Sequence, residues 1–239
     1  MYKNFPPSTS LNSKHCPGVF DFEGTDSHKS LKKVRKKFPH LVKPVKYTLN
    51  SQGYRCPEFG EIDWSNSLIT LGCSNTLGIG VDDKLTYSHQ LQKNLDIPVV
   101  NLGQGGVGMW HIVYLARSLA KLKPKHVVLQ VPNPARFSLF FSYGKTVKTI
   151  GSWSDGPERI FISQYGEECN AETYQSFAVD YISHLLNIDY MFSFDEENDK
   201  LAQRVDILDF ARDAGHPGPK THKAVADNIA DYFKSSVLQ

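Results

Sequence analysis

From residue 65 to residue 131, short apolar runs alternate with stretches whose apolar residues recur at helical spacing. Residues 67–71 read as a strand, Tyr87–Leu95 as a helix, 98–102 as a second strand, 110 to about 122 as a second helix and 126–131 as a third strand. In the second helix Ile112, Leu115, Ala116, Leu119 and Ala120 fall on one face, the spacing that buries one side of a helix. This β-α-β-α-β rhythm predicts an α/β domain with a parallel sheet covered by helices. Crossovers of that kind collect loops, and with them functional groups, at the carboxyl ends of the strands.

The pattern weakens on both sides. Residues 142–170 contain Gly144, Gly151, Gly156 and Gly166 and read as a loop, either an active-site flap or a plain surface excursion. Residues 172–186 read as a helix. The run NIDYMFSF fits a strand as well as a continued helix, and the chain up to Phe210 stays ambiguous. A final helix is clear: Pro219 suits its first turn, and Val225, Ile229 and Phe233 form a buried stripe. Before the alternating region, residues 1 to about 27 are rich in Pro, Ser, Asn and Gly and read as an extended or partly disordered arm. HKSLKKVRKKFPHLVK then places Leu31, Val34 and Phe38 on one side of a short basic helix that ends before Pro39. No aromatic residues interleave its lysines, so a solvated helix face is favoured over a polyanion patch. Residues 45–64 read as a strand, a turn at 51–53 and a loop. The expected organisation is therefore an N-terminal extension over residues 1–64 and one domain over 65–239.

Composition narrows the class. The chain of 239 residues is 40% hydrophobic and 22% charged, an ordinary globular balance with material for a core, and its net charge of +2 steers no partner. The four cysteines, Cys16, Cys56, Cys73 and Cys169, form no CxxC pair and no zinc-ligand spacing with histidine. No metal, no organic cofactor and no nucleic-acid partner are expected. The N-terminal stretch has no apolar leader core, and no run approaches the ~18 apolar residues of a membrane span. A cytoplasmic location with free thiols is the expectation, and the oligomeric state is open.

The chemistry concentrates in three places. In LITLGCSNTLGIG, the strand ends at Gly72 and two nucleophile types follow at once, Cys73 and Ser74. A serine needs a base, and that base needs an orienting acid. FARDAGHPGPKTH supplies Asp213 and His216, three apart across a turn, so the carboxylate can reach Nδ1 and leave Nε2 for a nucleophile. Asp213 as a helix-approach cap beside a surface histidine is the bland alternative. The other histidines sit on predicted helices, at a strand start or in the arm, with His222 the best reserve. The third place is VVNLGQGGVGMW. It satisfies G-x-G-x-x-G, but the following strand, HVVLQVPN, ends without the acidic residue that a dinucleotide site requires. What remains is a glycine turn whose N–H groups can hold an oxyanion beside a helix N-terminus.

In this order the residues resemble the SGNH hydrolase superfamily, the GDSL-like esterases and lipases. Gly72-Cys73-Ser74-Asn75 resembles the nucleophile block with Cys in place of Asp. Asn101-Leu-Gly103-Gln-Gly105-Gly106 resembles the second block, Asn133 in QVPNPAR aligns with the third without its Gly and Asp neighbours, and Asp213 with His216 forms the last. The resemblance covers residues 65 to 238. It implies a three-layer α/β/α, flavodoxin-like fold with a central parallel sheet. It implies a triad of Ser74, His216 and Asp213, and an oxyanion hole from the N–H groups of Ser74 and Gly106 and the Asn133 amide. Residues 187–210 are short for the strand and helix such a fold carries there. Cys73 is expected to face the core. The expected activity is carboxylic ester hydrolysis, with removal of a small acyl group, acetyl above all, from a carbohydrate or other small ester. Phe137, Phe140, Phe141, Tyr143 and Trp153 offer faces for a sugar, Trp110 is a further substrate-binding candidate, and Arg136 either holds an anionic group or forms a structural ion pair. Two other classes stay open: a non-hydrolytic binding or structural module, and an acyltransferase using the same triad.

Overall fold

The computed structural model describes residues 5–141, 146–151, 153–158, 160 and 171–238. Tyr143, Gly144, Gly166 and Cys169 lie outside them. Near the N-terminus, Gly18–Phe20 (β1) pairs antiparallel with Tyr47–Leu49 (β2), and the basic helix His28–Lys37 (α1) lies between them in sequence. Ser27 caps α1 through its hydroxyl, which accepts from the Ser30 N–H at 3.2 Å. Val34 is buried while the lysines face outward, as the spacing predicts, but Phe38, expected on the same face, lies beyond the helix and is 43% exposed.

Residues 5–27 are largely irregular, as an arm would be, but they are bonded into place along the body. Glu23 is buried and accepts from the Ser10 hydroxyl at 2.6 Å, the Leu11 N–H at 2.9 Å and the Asn12 amide at 2.9 Å. Polar side chains order this segment, so hydrophobic periodicity carried no sign of it. Tyr54, Phe59 and Trp64 of the extension bury themselves in the same core cluster as the first sheet strand.

The alternating region follows the predicted rhythm. Leu68–Leu71 (β3) leads to a short helix Ser74–Leu77 (α2) and to Tyr87–Leu95 (α3), then come Val99–Asn101 (β4), Met109–Leu119 (α4) and His126–Gln130 (β5). Phe137–Phe141 (β6) and Thr146–Ile150 (β7) form an antiparallel hairpin. Ala171–Leu185 (α5), Tyr190–Ser193 (β8), Gln203–Arg204 (β9) and Pro219–Ser236 (α6) complete the chain. The main sheet has five strands in the order β4-β3-β5-β8-β9, all parallel. That is the flavodoxin-like winding, whose order reverses between β3 and β5. Side chains alternate across the sheet. Ile69, Leu71, Val127 and Leu129 face the layer of α4 and α5. Leu68, Val128, Tyr190 and Phe192 face the layer of α3 and α6. Val225, Ile229 and Phe233 form the buried stripe of α6, each such side chain contributing about 1.5–3 kcal/mol.

Two expectations change. Residues 146–150 are a strand rather than loop, because Phe137 to Phe141 supply a pairing edge whose alternation was not read. NIDYMFSF contains the strand β8, and the strand in doubt after it is present but only two residues long, with both side chains exposed. An edge strand that buries neither residue leaves no apolar pattern to read. Among the described residues no helix is long and apolar enough to cross a membrane.

Candidate active site

Ser74 stands where β3 ends at the reversal of strand order. Cys73 is extended (φ −94°, ψ −151°) and caps α2, so Ser74 opens that helix. Successive side chains of extended backbone point to opposite sides. Cys73 accordingly turns into the core at 0% exposure. Its N–H and thiol both point at Oε1 of Gln130, at 3.0 and 3.1 Å, and Thr76 Oγ1 lies 3.4 Å from the same oxygen. Gln130, from the neighbouring β5, thus anchors the turn that carries Ser74, in which Cys73 stands where the resembled motif has Asp.

The loop before α6 brings its own partner. Asp213 Oδ2 lies 2.6 Å from His216 Nδ1, and His216 Nε2 lies 2.9 Å from Ser74 Oγ. The other Asp213 oxygen accepts the N–H groups of Gly215 at 3.0 Å and His216 at 3.1 Å. Ala214 takes a left-handed conformation, φ 56°, which closes this tight turn. Thr25, from the N-terminal segment, donates its hydroxyl to Asp213 Oδ2 at 2.7 Å. Burial by itself would raise the Asp213 carboxyl. The His216 hydrogen bond and charge, the Thr25 hydroxyl and the Gly215 N–H outweigh it and hold the group at about 2. A carboxyl lowered on folding contributes stability above its unfolded value, about 3.9, and loses it as pH falls through the folded one. Urea unfolding should therefore show wild type more stable than Asp213→Asn by about 2 kcal/mol above pH 5. That difference should shrink between pH 4 and pH 2. A difference constant over that range would show that Asp213 is not held this way.

The same loop is tied down one residue earlier. Arg212 is buried against the buried Asp26, with Nη2 2.6 Å from Oδ2 and Nε 3.0 Å from Oδ1. It also donates to the carbonyls of Lys43 and Asp21. Tyr47 donates its hydroxyl to Asp26 at 2.5 Å and accepts the Gly80 N–H at 2.7 Å.

The glycine turn after β4 packs against the turn that carries Ser74. Asn101 donates to the Thr76 carbonyl at 2.8 Å and accepts the Gly103 N–H at 2.9 Å. Gln104 Oε1 accepts the Ser8 hydroxyl at 2.9 Å and the Thr9 N–H at 2.8 Å. Gly106 has φ +70°, a conformation that a side chain disfavours, and a Cβ there would come within 3.1 Å of Thr149. Among the described residues, the N–H groups of Ser74 and Gly106 meet no acceptor. Asn133 follows β5. Its amide donates to Asp195 at 3.2 Å and its carbonyl accepts the Ala135 N–H at 3.0 Å, which leaves one amide proton uncommitted. Asn133, Trp110 and Arg136 line one narrow cleft. No hydrogen bond among the described residues joins this group to Ser74, His216 or Asp213.

His222, the reserve base, is structural. It is buried, its Nδ1 accepts the Tyr87 N–H at 3.0 Å, and burial lowers it to about 3. His111 is likewise buried, stacked 5.9 Å from Phe140, and lowered by burial to about 3. Among the described residues no group of three or more His, Cys, Asp or Glu side chains has the arrangement to hold a metal ion. Thr25, Asp26, Arg212 and Gln130 were not found from sequence. Arg212 adjoins Asp213, but its partner lies 186 residues upstream, and no local pattern links them.

No family model matches the chain, and no curated protein matches it. Among solved structures it is similar to a protein assigned to the lipolytic G-D-S-L family from Desulfitobacterium hafniense DCB-2 (12% identity, TM-score 0.44), over 70% of this chain and 99% of that one. It is also similar to a protein assigned as a GDSL-like lipase from Bacteroides ovatus ATCC 8483 (13%, TM-score 0.38), over 74% of this chain and 56% of that one. A third is a carbohydrate esterase family 2 enzyme with a carbohydrate-binding domain from Corynascus thermopiles (Myceliophthora fergusii) (11%, TM-score 0.40), over 73% of this chain and 67% of that one. At such values function has to be argued from the residues themselves.

Proposed function

We propose that the chain is a serine ester hydrolase of the SGNH type that transfers an acyl group to water through Ser74. The observation that carries this reading is the continuous contact from Asp213 to His216 at 2.6 Å and from His216 to Ser74 at 2.9 Å. A hydroxyl alone is a poor nucleophile near neutral pH. With Nε2 as acceptor, its proton leaves as Oγ bonds the ester carbonyl carbon. Asp213 keeps Nδ1 protonated and stabilises the imidazolium that forms. The carbonyl oxygen becomes an oxyanion, for which the uncommitted N–H groups of Ser74 and Gly106 and the second amide proton of Asn133 are the available donors. Each donor of that kind is worth about 10²–10³ in rate.

His216 then returns the proton to the departing alcohol as its bond to the acyl carbon breaks. Water, deprotonated by the same imidazole, attacks the acyl-serine, and the carboxylic acid leaves with Ser74 restored. The exposed rings of Trp110 and Trp153 favour a small acyl group on a carbohydrate as the substrate. A fluorophosphonate probe tests the nucleophile directly. One adduct is expected, mapped by mass spectrometry to the peptide bearing Ser74 and missing in Ser74→Ala. A protein that takes up no probe while folded would overturn the assignment.

A further inference from the structure

The cleft lined by Trp110, Asn133 and Arg136 holds a cation with no counter-charge among the described residues. The guanidinium of Arg136 makes no hydrogen bond and no ion pair among the described residues, and its Nη1 is enclosed without an acceptor. Enclosed charged donors are normally satisfied, so each exception asks for a partner that the protein does not itself supply. Among the described residues Arg136 forms no structural ion pair, one of the two roles the sequence allowed it. Its Cζ instead lies 5.4 Å from the centre of the Trp153 ring, a stack that orients the fork and leaves its edge for an anion.

This pair is registered against the glycine turn. A Cβ on Gly108 would sit 2.0 Å from the Arg136 carbonyl, so the two backbones touch, and the Gly108 N–H donates to Ser138 at 3.1 Å. A Cβ on Gly106 would come within 3.2 Å of the Trp153 ring. The guanidinium is thus held one aromatic ring away from the proposed oxyanion donor. Trp110, 47% exposed, lines the same cleft as Arg136 and Asn133. An arginine fork matches the two oxygens of a carboxylate, and an exposed indole offers an apolar face of the size of a sugar ring.

We infer that this site selects esters whose sugar carries a carboxylate, with that carboxylate on Arg136 and the ring against Trp110. The inference rests on the ester-hydrolase reading above and specifies its substrate class. A charge-assisted pair at a partly enclosed site is worth roughly tenfold to a hundredfold in affinity. The probes are mono-O-acetyl glucuronic acid and mono-O-acetyl glucose acetylated at the same ring position, which share the acyl group and differ only at C6, a carboxylate in one and a hydroxymethyl in the other.

Binding is measured in Ser74→Ala by tryptophan fluorescence, where no turnover interferes, and acetate release is measured in wild type. The acidic ester should bind about tenfold to a hundredfold more tightly, and the wild-type preference should lie in KM rather than kcat. Adding Arg136→Gln should bring the ratio of the two esters towards one, with Arg136→Lys in between. Equal binding of the two esters, or a preference that survives Arg136→Gln in a folded protein, overturns the inference even if p-nitrophenyl acetate is hydrolysed. Charge-selective binding that depends on Arg136, in a protein that neither hydrolyses p-nitrophenyl acetate nor takes up fluorophosphonate, supports the anion site and overturns the hydrolase reading instead.

Discussion

Ser74→Ala should lower turnover of p-nitrophenyl acetate by roughly 10⁶-fold, to the residue that binding and oxyanion donors provide alone. The step depends on one oxygen, and the neighbouring thiol cannot replace it. Cys73 Sγ lies 4.0 Å from Ser74 Oγ, is fully buried, and is turned towards Gln130. Asp213→Asn should cost about 10⁴ in kcat, because the amide leaves His216 in the wrong tautomer while preserving shape. Combining Asp213→Asn with Ser74→Ala should add little to the serine loss, since the groups act as a unit. Steady-state kinetics of the three variants decide the matter. Substantial turnover by Ser74→Ala would place the chemistry elsewhere in the molecule.

Asp26→Asn should destabilise the protein by about 3–5 kcal/mol, because it leaves Arg212 as a buried charge without its counter-ion. For a chain of this size that corresponds to a fall in Tm of roughly 6–20 °C. The side chains of Asp26 and Arg212 are 0% and 5% exposed, so water cannot take over the lost role. Since Arg212 precedes Asp213, and Thr25 precedes Asp26 and itself bonds Asp213 at 2.7 Å, kcat of the folded variant should drop with KM little changed. Asp26→Asn with Arg212→Met should recover part of the stability, as both charges are then gone. Thermal unfolding and p-nitrophenyl acetate kinetics on the same samples test both parts. A wild-type Tm in Asp26→Asn would show that the extension does not brace the acid–base loop.

Much of this molecule is legible in its sequence. The strands β3, β4 and β5 and the helices α3, α4 and α6 fall within a few residues of their expected positions. The reason is that each announces its buried face through period 2 or period 3.6, which is a local property. Ser74 at a strand end and Asp213 three residues before His216 are local features too, which made the candidate triad readable. The rejected nucleotide reading of the glycine turn also came from local context, the lack of an acid after the next strand.

What the residues could not announce are the pairings between distant polar groups. Ser74 and His216 are 142 positions apart, and Thr25 and Asp213 are 188 apart. Glu23, Asp26 and Gln130 are polar residues that took buried places because partners far along the chain satisfy them. A segment ordered by such bonds resembles a disordered arm in sequence, since hydrogen-bonding capacity has no period. The two-residue strand β9 stayed hidden because it buries nothing, and Arg136, without a partner among the described residues, because a lack of partners is a property of space alone. Sequence by itself determined the strands and helices of the alternating region, the final helix, their layering and the three residues of the candidate triad. Tertiary structure alone decided how the N-terminal extension holds the Asp213 loop and which cation has no partner among the described residues. Burial patterns are written along the chain, whereas polar partnerships are settled only when folding brings their ends together.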